Sequence, residues 1–401
     1  MTFLLKYDRI LLSLTIGNIA MSTRLVKFDE LTYPEIGALP RDVKIVLPIG
    51  GQTDLQPLIK KPGSPEEIYL LPAIPFGWTG SRVEVPPQVF QELVRNLFSN
   101  LLEDGFRNVT VAVPYKDMLD ADIPQIVLAD ESPQTPSPTD ADKGKVVILP
   151  IGHTEQHGFH APLCTDTVII EAISRGIVET IPEEAISLPT MPYGVSTHRR
   201  SFPGTFSVGG RAFEDYWVSV VDALVERGFQ RLFLLSGHGG NGSFLVNVVK
   251  YSGERHPPIF CATTGLYLTS SKGAEALALK RESPIGGMGH AGELETSLML
   301  ALRPELVHLA RAVDETDFIS TPSYYMDWIE GGALTANPPW EDDTRTGAYG
   351  AGSLGTREKG EYWLKIAIEE KVDQVREIHE QYNRRGESRA ARRMDPRLPP
   401  I

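Results

Sequence analysis

Three short polar strings hold the side chains best suited to chemistry, and the first of them is GHTEQHGFH at residues 152–160. It directly follows an apolar, β-branched run at 145–151. Glu155 and His157 stand two residues apart, and in an extended segment such residues project to the same side. Asp166 can join them, or it caps the helix that follows. Carboxylate oxygens and imidazole nitrogens suit zinc or manganese, and a shared carboxylate can bridge two ions.

The second string is SGHGGN at residues 236–241, between a strand predicted over 231–236 and a helix predicted from Gly242 onward. If the strands are parallel, His238 faces the same crevice as the first string. Alternatively, the string is only a glycine-rich turn in which Asn241 caps the helix. The HGG letters resemble the oxyanion loop of esterases, but the sequence contains no G-x-S-x-G nucleophile elbow. An esterase is therefore disfavoured.

The third string is HAGELETS at residues 290–297, which leads into the apolar residues 298–302. His290 is suited to general acid and base work because histidine titrates near neutral pH. Glu293 and Glu295 offer a further metal ligand. Acidic residues also favour the positive end of a helix dipole, so one of the two glutamates can serve only that purpose.

The elements that position these strings alternate between strands and helices. Strands are predicted over 145–151 and 231–236, and helices over 167–178 and 212–227. The second helix is the clearest, because its apolar residues recur at spacings of three and four and Gly228 supplies the stop. This order predicts an α/β fold with a mostly parallel sheet flanked by helices, in which sites gather at the carboxyl ends of the strands.

The earlier part of the chain resembles a degenerate half-copy of the later part. Three pairs of strings match in order and approximate spacing, although two unrelated βαβ units can share such short strings by chance. The copy lacks the candidate ligands, since Thr53, Leu55 and Tyr115 stand opposite Glu155, His157 and His238, and Ser81 stands opposite His198. The matched pairs are 44–54 with 145–156, 71–77 with 188–194, and 101–115 with 224–238.

The predicted organisation has five parts. The apolar stretch near the start is too short and broken for a membrane span, which needs roughly 20 apolar residues, and it is either an extension before Met21 or a weak signal. A segment rich in proline, serine and acidic residues is typical of a linker. The parts are 1–20 (extension or weak signal), 21–130 (ligand-free α/β unit), 131–144 (linker), 145–385 (catalytic domain) and 386–401 (flexible tail).

The composition excludes some classes of binding partner. The formal net charge is −13, from 39 basic and 52 acidic residues, which argues against nucleic acid and against an anionic membrane surface. Only two cysteines are present, so a disulfide framework is excluded and a cytoplasmic location is expected. The letters GAGSLG at 350–355 match a dinucleotide fingerprint, but no strand is predicted before them. We expect a small-molecule substrate.

Together the three strings resemble the creatininase (creatinine amidohydrolase) family, and SFPGT at 201–205 adds support. The resemblance covers residues 145 to about 382. It implies a layered α/β fold, a two-metal site holding zinc with zinc, manganese or iron, and a homo-oligomer. That oligomer is commonly a hexamer in the family, and it is smaller here if the N-terminal copy replaces a subunit contact.

One departure bears on the ligands and the substrate. Creatininase proper has a glutamate ligand where this chain has Gly240, and it lacks an acid at the position of Glu293. We therefore infer that Glu293 replaces the missing ligand, although Glu295 stays an alternative, and creatinine itself is in doubt. The ligands carried over from the family are Glu155, His157, Asp166 and His238, with Asp166 bridging.

The resemblance also implies the reaction. A hydroxide held between two ions attacks the carbonyl of a small polar cyclic or formyl amide, and His290 carries the proton to the leaving atom. The alternatives are a hydrolase that opens the carbon ring of a diketo-inositol and, in another class, a non-catalytic metal-binding scaffold. The expected substrate pocket contains His160, His198 and Tyr193.

Overall fold

The computed structural model describes residues 23–50, 59, 65–128, 138–197, 201–327, 332–394 and 397. The described residues form two parallel sheets, a short antiparallel pair and flanking helices. In chain order the strands are β1 (Arg24–Lys27), β2 (Lys44–Pro48), β3 (Glu67–Leu70), β4 (Val109–Val113), β5 (Gln125–Val127), β6 (Val146–Ile151), β7 (Ala185–Ser187), β8 (Arg231–Ser236), β9 (Phe260–Thr263), β10 (Met288–His290) and β11 (Tyr349–Gly350).

The helices cover the faces of the sheets. Within the part of the chain that is described, no helix is both long and apolar enough to cross a membrane. The helices are α1 (Tyr33–Ala38), α2 (Pro87–Glu103), α3 (Thr165–Thr180), α4 (Gly210–Glu226), α5 (Gly242–Arg255), α6 (Ser271–Lys280), α7 (Glu293–Leu302) and α8 (Arg357–Met394).

The two parallel sheets share one strand order. The first runs β1-β3-β2-β4-β5 and the second runs β7-β6-β8-β9. Without the edge strand β1, each sheet has its first strand inside, its second strand at the edge beside it, and its third and fourth strands on the other side. This correspondence supports our proposal that the first unit, residues 23–128, is a degenerate copy of part of the second unit, residues 138–394.

The two units pack around one common core. Leu47 of β2 and Leu149 of β6 belong to the same buried cluster, which also contains Leu97 of α2 and Trp217 of α4. Alternate residues of β6 face the opposite way, where Ile148 packs in a second cluster with α3 and α8. Both faces of β6 are therefore covered, which explains its unbroken apolar sequence.

The predicted central elements of the second unit are present, with β8 over Arg231–Ser236 and α4 over Gly210–Glu226. The last helix is longer than the predicted organisation implies, because α8 continues through Met394 into the segment 386–401 that we expected to be a flexible tail. Its final turns contain arginine, glutamate and alanine, which are good helix formers without burial. Ion pairs such as Arg384 with Glu380, 2.9 Å apart, also support this exposed end. The predicted signal and residues 131–137 of the linker lie outside the described residues.

Candidate metal centre

The first two strings leave neighbouring strand ends. β6 and β8 are parallel, with Ile151 beside Ser236, and the amide of Gly237 donates to the carbonyl of Ile151 at 2.7 Å. The start of α3 presses against both ends. A Cβ atom at Gly152 would lie 2.5 Å from the Cα of Thr167, and a Cβ atom at Gly237 would lie 2.5 Å from the carbonyl oxygen of Asp166. Glycine is needed at both positions because a larger residue would push the helix away.

Asp166, in the first turn of α3, lies between two histidines. Its Oδ1 is 3.1 Å from Nε2 of His157, and its Oδ2 is 3.2 Å from Nδ1 of His238. The same Nδ1 atom is 2.9 Å from Oε2 of Glu155. All four side chains are buried. The structure therefore brings the four predicted ligands together, with Asp166 in the central position.

The third string completes the cluster with Glu295 and His290. Oε2 of Glu295 lies 3.7 Å from Nε2 of His157 and accepts the amide of Ala291 at 2.7 Å. The rings of His157 and His290 are 4.3 Å apart between centroids. Ala291 has φ of 51°, a left-handed conformation that is strained for a residue with a side chain. This turn aims the amide of Ala291 at Glu295.

Glu293 lies elsewhere, which corrects our expectation for it. Its carboxylate is buried against Nζ of Lys359 at 2.7 Å, and it accepts the amides of Glu282 and Ser283 at 3.0 and 2.8 Å. Residues two apart on a helix point about 200° apart around its axis, so only one of the two glutamates of α7 can face the cluster. Glu295 is that residue.

Hydrogen bonds to backbone carbonyls orient three histidines. A carbonyl can only accept, so in the neutral ring the proton lies on the nitrogen that faces the carbonyl, and the other nitrogen keeps a lone pair. Histidines that bind metals are held in this way. Nδ1 of His157 donates to Glu155 at 3.0 Å, and Nε2 of His238 donates to Val195 at 3.0 Å. Nε2 of His290 lies 2.7 Å from the carbonyl of Gln156 and 3.2 Å from the side-chain nitrogen of the same residue, and we assign it as a donor to the carbonyl because that contact is the shorter.

His153 has no role in our sequence-based prediction, and its spacing from Glu155 was the available signal. Its ring centroid is 4.3 Å from that of His238, and ligand atoms of His153, Glu155 and His238 lie within 4.8 Å of one another. However, the amide of Gly194 donates to Nδ1 of His153 at 2.9 Å. A neutral His153 therefore carries its proton on Nε2, the reverse of the arrangement in His157, and acts as a donor.

The buried charges shift one another's pKa values. Burial alone would lower the pKa of His157, but Asp166, Glu295 and Glu155 outweigh it and raise the pKa to about 9. Burial would raise the pKa of Asp166, yet His157 and His238 hold it at about 2. Burial raises the pKa of Glu295 to about 7. Without metal the cluster holds protons that a divalent cation can displace.

The three residues expected to line the substrate pocket do not all lie at the cluster. Tyr193 is buried in the core, and its hydroxyl donates to the carbonyl of Pro72 at 2.6 Å, so it belongs to the contact between the units and not to the cluster. His160 is hydrogen-bonded through Nε2 to Oγ1 of Thr296 at 2.8 Å. Burial and the charge of His157 lower the pKa of His160 to about 4. His198 lies outside the described residues.

Aromatic side chains enclose the cluster beside His290. The ring of Trp340 lies 5.0 Å from that of His290, and Tyr349 packs on Trp340 at 4.8 Å. With Phe202 they form a buried aromatic cluster. One side of the His290 ring is therefore covered by buried aromatic side chains.

In two buried groups of histidines and carboxylates, the ligand atoms lie within 4.8 Å of one another, which is close enough for a metal ion: His153 with Glu155 and His238, and His157 with His290 and Glu295. They lie at the carboxyl edge of a parallel sheet, which is the class of site found in α/β metalloenzymes. The family model for creatininase, described as creatinine amidohydrolase, matches residues 134–375. The chain therefore belongs to the creatininase family, whose members are hydrolases.

Curated relatives have several activities. Creatinine amidohydrolase of Pseudomonas putida is 30% identical over 255 residues, 58% of this chain and 89% of that protein. The 3-dehydro-scyllo-inosose hydrolase of Thermotoga maritima is 28% identical over 256 residues, 59% of this chain and 78% of that protein. The mycofactocin precursor peptide peptidase of Mycolicibacterium smegmatis is 32% identical over 167 residues, 40% of this chain and 59% of that protein.

Solved structures share the fold over about three-fifths of the chain. A creatininase carrying a single tryptophan-to-alanine substitution has a TM-score of 0.50 and 27% identity, covering 60% of this chain and 93% of its own. A putative creatinine amidohydrolase from Bacteroides fragilis has a TM-score of 0.50 and 26% identity, covering 59% of this chain and 90% of its own. These neighbours confirm the predicted fold class.

Proposed function

We propose that this chain is a metal-dependent hydrolase that cleaves a small, polar cyclic or formyl amide. The observation that carries the proposal is the position of Asp166, one carboxylate oxygen of which faces His157 while the other faces His238. A carboxylate in that position can bridge two cations.

The residues divide between two ions. Glu155 and His238 would hold one ion and His157 and Glu295 the other, with Asp166 shared. The lone pairs left by the carbonyl-bound rings support this division. We propose zinc at one site and zinc, manganese or iron at the other, since nitrogen and carboxylate donors suit all three. Bound ions would lower the pKa of a water molecule and polarise a substrate carbonyl.

His290 is our candidate proton carrier. Burial and the nearby charge of His157 lower the pKa of His290 to about 3, so the ring is neutral near pH 7. Its Nε2 is engaged with the carbonyl of Gln156, which leaves Nδ1 to accept a proton and deliver it to the leaving nitrogen. The ring of Trp340 packs against that of His290, with 5.0 Å between the ring centroids.

The second candidate is a hydrolase that opens the ring of a cyclic diketo-polyol. The similarity to the inosose hydrolase of Thermotoga maritima favours it. Amide cleavage and ring opening need the same attack on a carbonyl and the same stabilisation of an oxyanion, so the cluster serves either. A non-catalytic metal-binding scaffold is the alternative in another class.

A hydrolysis screen tests the proposal. The purified chain, loaded with zinc or manganese, is offered cyclic amides, formamides, cyclic diketones and short peptides, and the released products are quantified. Turnover of an amide that a chelator abolishes supports the leading proposal, whereas turnover confined to diketones supports the second. Metal binding without any turnover favours the scaffold. A chain that carries less than one transition ion and gains none on titration contradicts both enzyme proposals.

The assembly and location belong to the same proposal. The proposed assembly is a homo-oligomer, a hexamer or a smaller assembly, as the resemblance to the creatininase family implies. Light scattering after gel filtration measures its mass. Both cysteines, Cys164 and Cys261, are free, which supports the proposed cytoplasmic location.

A further inference from the structure

The ligand-free first unit presents a polar stripe on α2 to the second unit. Asn96, Asn100 and Asp104 are spaced by four residues and therefore share one side of the helix and its end. They all bind the backbone of segment 203–208 in the second unit. Nδ2 of Asn96 donates to the carbonyl of Val208 at 2.7 Å, Oδ1 of Asn100 accepts the amide of Ser207 at 2.6 Å, and Oδ2 of Asp104 accepts the amide of Gly204 at 2.8 Å.

The same segment holds the backbone on both sides of Glu155. Oγ1 of Thr205 accepts the amide of Gln156 at 3.0 Å. The amide of Phe206 donates to the carbonyl of Thr154 at 3.0 Å. The position of segment 203–208 thus sets the position of the main chain that carries this candidate ligand.

A second connection reaches the carboxylate itself. Ser207, whose amide Asn100 binds, accepts the amide of Ser196 on its Oγ at 3.2 Å. Oγ of Ser196 in turn donates to Oε1 of Glu155 at 3.2 Å. Three consecutive hydrogen bonds therefore link Asn100 of the first unit to the carboxylate of Glu155 in the second. Asn100, Ser196 and Glu155 are buried and Ser207 is partly exposed, and hydrogen bonds between buried groups are least disturbed by water.

We propose that Asn100 is a positioning residue for Glu155, and that the degenerate first unit acts as the outer support of one of the two metal sites. The inference rests on the proposed function in that Glu155 binds an ion. Partners that orient a metal ligand typically change affinity or activity by about 10- to 100-fold when removed. The first unit would then have kept its frame because the site needs it, although it has no ligands of its own.

Metal affinity of matched variants tests the proposal. N100L removes the acceptor with little change of volume, and N100D restores an acceptor oxygen. Q91L is the control, because Gln91 lies on the same helix but bonds within the first unit, to the carbonyl of Met118 at 3.5 Å. Zinc is titrated against a chromophoric chelator. We expect N100L to lower the affinity for one of the two zinc ions about 10-fold and to leave the affinity for the other unchanged. N100D should recover most of the lost affinity, and Q91L should bind both ions as the wild type does.

Hydrogen exchange of the metal-free chain supplies a second readout. N100L should speed exchange in residues 154–157, since the amide of Gln156 depends on the held segment. S207A removes the Oγ that accepts the amide of Ser196 and leaves the first unit unchanged. It should weaken the binding of the same ion as N100L, and it replaces N100L in the test if that variant does not fold. Unchanged affinity and exchange in these variants, or effects equal to those of Q91L, would overturn the proposal. A wild-type chain that binds no zinc contradicts the proposed function instead, while the exchange data still decide the link.

Discussion

Oε2 of Glu295 lies 3.7 Å from Nε2 of His157, whereas Glu293, two residues earlier on the same helix, is bound to Lys359 on the far side. E295Q should therefore lose the ion held with His157 and lower hydrolysis by at least about 10-fold, because a neutral amide is a poor ligand for a divalent cation. Metal content by mass spectrometry and steady-state rates measure this.

E293Q is the matched control. It should keep both ions and lower the free energy of unfolding by roughly 1–3 kcal/mol, because it removes the buried one of the two carboxylates that pair with Lys359, those of Glu293 and Glu282. Loss of an ion in E293Q with full retention in E295Q would show that the ligand assignment is reversed.

His238 and Tyr115 occupy matching positions in the two units, and substitution should separate them. H238A removes the nitrogen that lies between Glu155 and Asp166, so retention of the ion proposed there and hydrolysis should both be lost. Y115A should leave both intact, because Tyr115 is 40% exposed at the surface of the ligand-free unit. Equal losses in the two variants would count against a ligand-free first unit.

Removal of metal should destabilise the chain. Glu155, Asp166 and Glu295 would face one another in a buried site without their cations, and a ligand that binds only the folded state stabilises it by about 2.7 kcal/mol at 100 times its Kd. Differential scanning fluorimetry with a chelator should show a lower Tm, and added zinc should restore it. The Tm of H238A should respond less to the chelator than that of the wild type, because one of the two proposed ions is already lost.

Glu370 predicts a pH dependence remote from the cluster. Burial alone would raise its pKa, but Lys371 and hydrogen bonds from Ser270 and Thr269 hold the pKa at about 2. Burial lowers the pKa of Lys371 despite the carboxylate beside it. The charge of Lys371 and the hydrogen bonds from Ser270 and Thr269 therefore both stabilise the ionised carboxylate of Glu370.

Since the pKa of Glu370 is depressed in the folded state, its stabilisation is present above the ordinary carboxylate pKa and is lost as pH falls towards 2. E370Q should cost about 3–5 kcal/mol near neutral pH, because it breaks a buried pair, and the difference from wild type should shrink in acid. Urea unfolding at pH 7 and at pH 3, below the ordinary carboxylate pKa, measures this. A difference that grows in acid would contradict the assignment.

Much of the site was predictable because it depends on local patterns. The alternation of strands places residues that follow β6 and β8 at one edge, and the string from Glu155 to Asp166 contains three of the candidate ligands in one short stretch. The helix register at Glu293 and Glu295 was harder, since both residues lie in the first turn of α7 and the sequence does not show which side of that helix faces the cluster.

The sequence by itself determined the α/β class, the strand ends that bear the histidines and the family of the chain, because these depend on periodicity and on short contiguous strings. Only the tertiary structure decided that Glu295 faces His157, that Tyr193 belongs to the core between the units, and that Asn100 is linked to Glu155. Each of these depends on contacts between segments distant along the chain. Such contacts are set by how helices and sheets pack, which no local pattern encodes.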